Sequence, residues 1–323
     1  LKTLLQEYPP ATQKTKAMKP KPRIPPLQIV VKLKSGLGNQ LFQYAAAKYY
    51  AKKHNASVRV ATQLHKTQFH KGLPRPLGLT KFSIAAELTP LTYFDRLVLS
   101  TNPRICLIGE LARKANKIEV LREPFNDRYY LNSALQVHNE VRVAYLDGYW
   151  QVFQLVFEME NDLRKEISLR DQPSGRNLDV ARQIAAADNP VSVHLRRGDY
   201  AATFGPEAVL PISYYDRAVR TLADRFGRVT PIIFSDDIPA AKAWAAGKPN
   251  YIVVDHNDAY SAHEDLRLMS LCKHHIIANS SFSWWGAWLN PCTEKHVIAP
   301  SNWLGFETAK IGIADPRWQL LHS

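Results

Sequence analysis

Hydrophobic positions in this chain fall into short continuous runs separated by stretches with helical spacing. Residues 27–33 form the first run and predict a strand, and 41–54, with Leu41, Phe42, Tyr44 and several alanines on one side, predict a helix. Ser57-Val58-Arg59-Val60 reads as the next strand, so the chain opens on a βαβ unit whose strand-to-helix turn is Lys34 to Gln40. Residues 62–140 carry Pro74, Pro76, Pro90, Pro103 and Pro124 among scattered Phe and Tyr, which predicts short helices and loops capping the first sheet. A strand end at 143–150, a helix over 152–169 and a loop at 171–177 follow, placing a structural seam between 150 and 180.

Beyond the seam the rhythm is regular. Strands at 191–195, 231–234, 251–254 and 275–278 alternate with helices at 213–226 and 261–272, and another helix opens near 283. Such alternation implies a parallel, doubly wound sheet. Two Rossmann-like units facing one another would enclose a cleft between their strand ends. The expected division is a leader at 1–26, a first domain at 27–165 and a second at 166–323.

Composition changes this picture little. The chain has 323 residues, 46% hydrophobic and 22% charged, as a globular protein should. Its net charge of +13 suggests nucleic acid, but much of the excess sits in the first 35 residues, leaving about +6 for the rest. The leader also holds Pro9, Pro10, Pro20, Pro22, Pro25 and Pro26, and is expected to be extended and disordered. Cys106, Cys272 and Cys292 are odd in number and widely spaced, which argues against a disulfide framework or a zinc site and favours reduced thiols in a cytoplasm. Peripheral attachment to an anionic membrane through the leader, or a Golgi lumen if an anchor lies upstream, are the alternatives.

Several constellations carry candidate chemistry. His194-Leu195-Arg196-Arg197-Gly198-Asp199-Tyr200 places two guanidiniums and an imidazole after a buried strand, where a doubly wound sheet holds its ligand. Arginine suits an anion there because its planar fork grips phosphate oxygens in pairs. An isolated Arg-Arg pair is more often a solvated loop braced by acids. Gly36-Leu37-Gly38-Asn39-Gln40 gives a tight turn at a helix N-terminus, with Asn39 able to reach the cleft, but Leu41 stands where a dinucleotide loop has its third glycine.

Asn279-Ser280-Ser281-Phe282-Ser283-Trp284-Trp285-Gly286 follows a strand and opens a helix, so amides and hydroxyls converge on an anion site while the tryptophans read as core. Asp265 begins a helix, and its carboxylate could accept from guanine N1–H and the exocyclic amine; Ser235, Asp236 and Asp237 end a strand and could hold a ribose or base. There is no P-loop, Gly-x-Ser-x-Gly, His-Glu-x-x-His or Asp-x-Asp motif. His274 and His275 are adjacent in a strand and so point to opposite faces.

Together the blocks Gly36 to Ala45, His194 to Tyr200, Ser235 to Asp237 and Asp265 to Gly286 resemble the α1,2-fucosyltransferases of glycosyltransferase family eleven, in order across about 27–300. The resemblance implies a GT-B-like fold and inverting, metal-independent transfer of fucose from GDP-fucose to the 2-hydroxyl of a terminal galactose, such as that of lactose or a glycan. It implies no cofactor. It casts Arg196 as the catalytic clamp on the β-phosphate and leaving oxygen, His194 as a donor contact, Arg197 as its support and Asp265 as the reader of guanine. Gly38 and Asn39 would sit beside the fucose or β-phosphate, and Ser281 and Phe282 on the diphosphate; Asn279, Ser280, Ser235 and Asp236 complete the donor set. Asp199 is the candidate general base, with Glu207 nearby, though a dissociative transition state needs little base help.

Two other classes compete. A non-catalytic sugar-nucleotide-binding module would have lost the arginines or serines, and both remain. A nucleic-acid binder is disfavoured by the concentration of charge in the leader; within enzymes, a GDP-fucose-dependent transferase of another linkage is the runner-up.

Overall fold

The computed structural model describes residues 26–62, 68–70, 73–123, 137–198, 200, 203 and 205–323. The leader and Asp199 lie outside the described residues. The first sheet holds β1 (Gln28–Lys32), β2 (Ser57–Thr62), β3 (Glu87–Pro90), β4 (Ile118–Arg122) and β5 (Val143–Asp147), all parallel, in the order β3-β2-β1-β5-β4. The chain builds outward from β1 on one side, then crosses over to place β4 at the far edge and β5 between it and β1. The switch point is therefore between β1 and β5.

The second sheet holds β6 (Pro190–Leu195), β7 (Thr230–Ser235), β8 (Ile252–Val254), β9 (His274–Ile276), β10 (Val297–Pro300) and β11 (Gln319–Leu321) in the order β8-β7-β6-β9-β10-β11. Its switch point lies between β6 and β9. Two parallel α/β domains of this kind make a GT-B architecture, and the carboxyl ends of strands at each switch point are where such sheets take ligands.

Several sequence expectations are corrected. Helix α1 (Leu37–His54) starts four residues earlier than the spacing predicts, because Gly36 takes an extended cap conformation (φ −74, ψ 172) and Gly38 and Asn39 enter the first turn. The proline-rich stretch 62–140 supplies β3 and β4 as well as helices α2 (Tyr93–Leu99) and α3 (Pro103–Ala115). Pro90 is tolerated as the last residue of an edge strand, where no ladder donor is missed. The helix expected over 152–169 is two, α4 (Phe153–Glu158) and α5 (Glu160–Glu166), meeting at Met159. Strands β10 and β11 escaped the sequence reading altogether.

Period-two alternation sorts the cores. Ile29 and Val31 face α1 in the main apolar cluster, while Val30, Ala61 and Tyr145 pack with Val98 and Leu99 of α2 on the other face. After α6 (Gly175–Ala186), Val191, Val193 and Leu195 of β6 pack against Tyr214, Tyr215 and Leu222 of α7 (Ile212–Phe226). The opposite face of β6 carries Ser192 and His194, both buried.

Helix α8 (Ile238–Ala245) follows β7, α9 (Ala262–Leu271) follows β8, and α10 (Ser281–Leu289) follows β9. The tryptophans of α10 are core, as expected from sequence. Phe42 of α1 lies 4.7 Å from Trp284 and 5.1 Å from Trp285, so one apolar cluster runs through both domains. A Cβ on Gly286 would meet Met269 Sδ at 2.6 Å, which explains glycine where α9 and α10 cross. His274 stacks on Phe226 at 4.1 Å, whereas His275 bonds Ser192 and Asn290, so the two imidazoles do face apart. Among the described residues, no helix is long and apolar enough to cross a membrane.

Candidate active site

The two switch points touch. A Cβ built on Gly38 would fall 2.5 Å from the Phe282 amide nitrogen and 2.6 Å from the Ser281 carbonyl carbon, so the first turns of α1 and α10 meet backbone to backbone. Only glycine permits that approach. Ser281 Oγ donates to Asn39 Oδ1 at 3.0 Å, and Gln151 Nε2 donates to the same oxygen at 2.5 Å. Asn39 Nδ2 in turn donates to Ser35 Oγ at 3.0 Å. Asn39 is thus a three-way clip between the β1 turn, the segment after β5 and the start of α10. Ser280 Oγ caps α10 by accepting from the Phe282 amide at 3.3 Å.

Gln40 and Gln43, which the sequence motif contains but to which no role was assigned, hold the first switch point in shape. Gln43 Oε1 accepts from the Lys34 amide at 3.0 Å and its Nε2 donates to Gly148 O at 3.2 Å, tying the ends of β1 and β5 together. Gln40 donates to Pro76 O and accepts from the Gly78 amide. Both are buried polar side chains on the otherwise apolar inner face of the helix. That contrast was the available signal.

At the second switch point His194 is the penultimate residue of β6 and Asn279 follows β9. His194 is 5% exposed with Nδ1 unpartnered, its ring 5.6 Å from Phe282, and Asn279 is 3% exposed with Oδ1 unpartnered. Most buried polar atoms find a partner, and these two, among the unpartnered ones of the described residues, stand at adjacent strand ends, which makes the place a candidate ligand site. Burial, then the neighbouring Arg196 charge, pulls His194 down to about 3, so it is a neutral imidazole at working pH.

The alternation of β6 explains the arginines. Arg196 continues the His194 face: Nη1 pairs with Asp236 Oδ2 at 2.8 Å, and the guanidinium lies 4.8 Å over the Tyr200 ring. Tyr200 OH donates to Asn279 O at 3.1 Å, linking the two strand ends again. Arg197 turns the other way, its Nε 3.5 Å from Asp237 Oδ2. It lines an open depression of about 530 Å³ with Gly198, Asp236, Asp237 and Pro239, to which none of His194, Arg196 or Asn279 to Phe282 contributes.

The β7 end, expected to hold ribose or base, is engaged with the arginine loop. Ser235 Oγ donates to Leu195 O at 2.7 Å and accepts from the Asp237 amide at 2.9 Å. Asp236 Oδ1 accepts from the Arg197 amide at 2.9 Å, and a Cβ on Gly198 would strike its carboxylate. These residues set the posture of Arg196 and Arg197.

Asp265 lies in the first turn of α9, beside the end of β8 and two strands from β6, which is about 10 Å at ordinary strand spacing. Asn257 Nδ2 donates to its Oδ1 at 2.7 Å, and Asn257 and Asn177 exchange reciprocal amide hydrogen bonds at 2.9 and 3.1 Å. Burial pushes the Asp265 carboxyl up to about 7; the Asn257 bond opposes this, and Glu264 and Asp258 add to it. Asn177 and Asn257 were not singled out from sequence. Glu207 is exposed. Among the described residues no three His, Cys, Asp or Glu side chains converge as metal ligands would.

The model of glycosyl transferase family 11 matches residues 28–320. The chain belongs to that family. It is 30% identical over 295 residues to the O-antigen biosynthesis glycosyltransferase WbnK of Escherichia coli, covering 84% of this chain and 93% of that protein. It is equally 30% identical over 303 residues to an Escherichia coli alpha-1,2-colitosyltransferase, covering 89% and 96%. Among solved structures it resembles the NodZ alpha-1,6-fucosyltransferase soaked with GDP-fucose, with a TM-score of 0.53 at 17% identity, covering 82% of this chain and 93% of that one. The fucosyltransferase NodZ from Bradyrhizobium is similar at a TM-score of 0.52, 16% identity and coverage of 82% and 94%. This family 11 chain is a glycosyltransferase with a GT-B fold.

Proposed function

We propose that this glycosyltransferase moves fucose from GDP-fucose, with inversion and without a divalent ion, to the 2-hydroxyl of a terminal galactose. The observation that carries the reading is the second switch point, where orphaned His194 Nδ1 and Asn279 Oδ1, the Arg196 guanidinium and the N-terminus of α10 stand together. Arg196 and the helix end supply positive charge for a diphosphate. Asp265, in the first turn of the helix after β8 and so two strands along the sheet from β6, is the carboxylate that would accept from a guanine edge. The 1,2 linkage is supported by the alpha-1,2-colitosyltransferase relative, and the GDP-sugar donor by the fold shared with a fucosyltransferase soaked with GDP-fucose.

The proposed reaction breaks the bond from anomeric carbon to phosphate oxygen, and the electron pair leaves with GDP. The galactose 2-hydroxyl forms the new bond from the opposite face and gives up its proton. Arg196 stabilises the charge that grows on the leaving oxygen, while His194 and Asn279 orient the donor.

A second reading keeps the site and changes the sugar: a 3,6-dideoxy donor such as GDP-colitose, favoured by the colitosyltransferase relative. One experiment separates them. Purified protein is incubated with GDP-fucose or GDP-colitose and a panel of β-galactosides, with and without EDTA, and the product linkage is read by NMR. An α1,2-fucosylated galactoside formed equally in EDTA supports the proposal; a product only with GDP-colitose selects the second reading. Loss of activity in EDTA, restored by added Mg²⁺ or Mn²⁺, removes the metal-free part, and another linkage removes the 2-hydroxyl.

A further inference from the structure

Ten large apolar side chains are exposed among the described residues, and six of them stand on one helical pair: Tyr93 and Phe94 on α2, and Ile105, Leu107, Ile108 and Leu111 on α3. The three at the centre of α3 are the most telling. Leu107, Ile108 and Leu111 share one stripe by helical spacing and are 65, 57 and 61% exposed. The face turned inward carries small residues instead, Ala112, which packs on the cluster beneath, and Gly109, whose Cβ would strike Leu97 O at 2.6 Å, together with Arg113, whose guanidinium donates to Val98 O at 2.7 Å. Helix α3 is therefore mounted with its apolar stripe outward. Scattered apolar residues on a surface need no explanation, but a clustered stripe marks an interaction face.

The charges around the stripe identify the partner. Arg104 precedes it by one turn, Lys114 follows by one turn, and Arg96 is exposed on α2. Of the two acids on these helices, Asp95 is buried in a 2.6 Å pair with Arg59, and only Glu110 is exposed. A second copy meeting this patch across a two-fold axis would bring like charges together. The leader carries Lys2, Lys14, Lys16, Lys19, Lys21 and Arg23 against Glu7, and would be repelled in the same way. An apolar stripe flanked by cations, with Tyr93 standing 94% exposed beside it, is instead the pattern that seats a helix in the headgroup region of a bilayer. Helices α2 and α3 also cover the sheet face away from α1, so docking there leaves the contact with α10 undisturbed.

We propose that α2 and α3 dock this enzyme onto an anionic lipid surface, Leu107, Ile108 and Leu111 entering the headgroup layer and Arg104 and Lys114 meeting lipid phosphates. The test uses the full chain and sedimentation with vesicles of phosphatidylcholine plus phosphatidylglycerol, against phosphatidylcholine alone. Wild type sediments with the mixed vesicles and not the neutral ones. The variant Leu107→Ser/Ile108→Ser/Leu111→Ser, and separately Arg104→Glu/Lys114→Glu, lower the partition coefficient by about tenfold or more at unchanged melting temperature. Neutralising Lys14, Lys16, Lys19 and Lys21 of the leader to Gln leaves most of the binding.

Wild type that ignores mixed vesicles overturns the proposal. So does binding that persists in both helix variants, binding that vanishes with the leader charges alone, or a concentration-dependent dimer that the serine variant dissolves while no vesicle binding is seen.

Discussion

Ser281 Oγ donates to Asn39 Oδ1 at 3.0 Å, across 242 residues of sequence, and so joins the first turns of two helices that belong to different sheets. The contact is possible because Gly38, one residue before Asn39, presents no Cβ to the Phe282 amide. It ties the switch points of the two sheets together.

Replacing Gly38 with Ala inserts a methyl where the backbone of α10 already stands at 2.5 Å. Neither backbone can yield cheaply, so the variant is expected to lose about 1–3 kcal/mol of stability and most of its transfer activity. Thermal melting and initial rates check both. Asn39→Ala, which removes the clip without a clash, should lose activity with a smaller fall in melting temperature.

Asp236 holds Arg196 at 2.8 Å and the Arg197 amide at 2.9 Å. Asp236→Asn keeps the size and one acceptor but loosens the guanidinium, and kcat is expected to fall by about tenfold or more at a stability cost of about 1–2 kcal/mol. Steady-state kinetics alongside urea unfolding separates the two effects.

The Asp265 carboxyl is pushed up to about 7, so it is part-protonated at neutral pH. Donors from a guanine edge would favour the carboxylate and lower that value on binding, so GDP binding releases a proton. Affinity for GDP should therefore rise with pH through about 7 and level off above it. Titration calorimetry between about pH 6 and pH 8 reads the slope, and Asp265→Asn should weaken binding and flatten it.

Gln43 is fully buried and satisfies the Lys34 amide and the Gly148 carbonyl. Gln43→Leu strands both groups, and is expected to cost about 1–3 kcal/mol although it makes the helix more apolar. Equilibrium unfolding of the purified variant measures it.

The second sheet was legible because 231–234 is a continuous apolar run and 191–195 alternates Val191, Val193 and Leu195 with Ser192 and His194, each followed by turn residues. β3 was not: Glu87-Leu88-Thr89-Pro90 has an acid and a proline in four residues, acceptable at a sheet edge but unlike a strand in isolation. The arginine loop and α10 were found by their chemistry at strand ends. What local sequence does not display is where a polar group spends its bonds. Ser235 and Asp236 stand at a strand end as expected, yet their hydrogen bonds go to the loop beside them. Gln40, Gln43 and Asn257 act on partners far along the chain or at a loop crossing, which only the folded register brings together. The outward stripe of α3 lies in the stretch read from sequence only as short helices and loops; the close approach of Gly109 to Leu97 O, which turns the stripe outward, exists only in the folded chain.

Arg196 carries the account of transfer, and the rate of Arg196→Ala with GDP-fucose and its best β-galactoside tests that account most directly. With circular dichroism and melting close to wild type, kcat/KM should fall by about a thousandfold, or about 4 kcal/mol of transition-state stabilisation. A folded Arg196→Ala enzyme within a few-fold of wild-type turnover would contradict it.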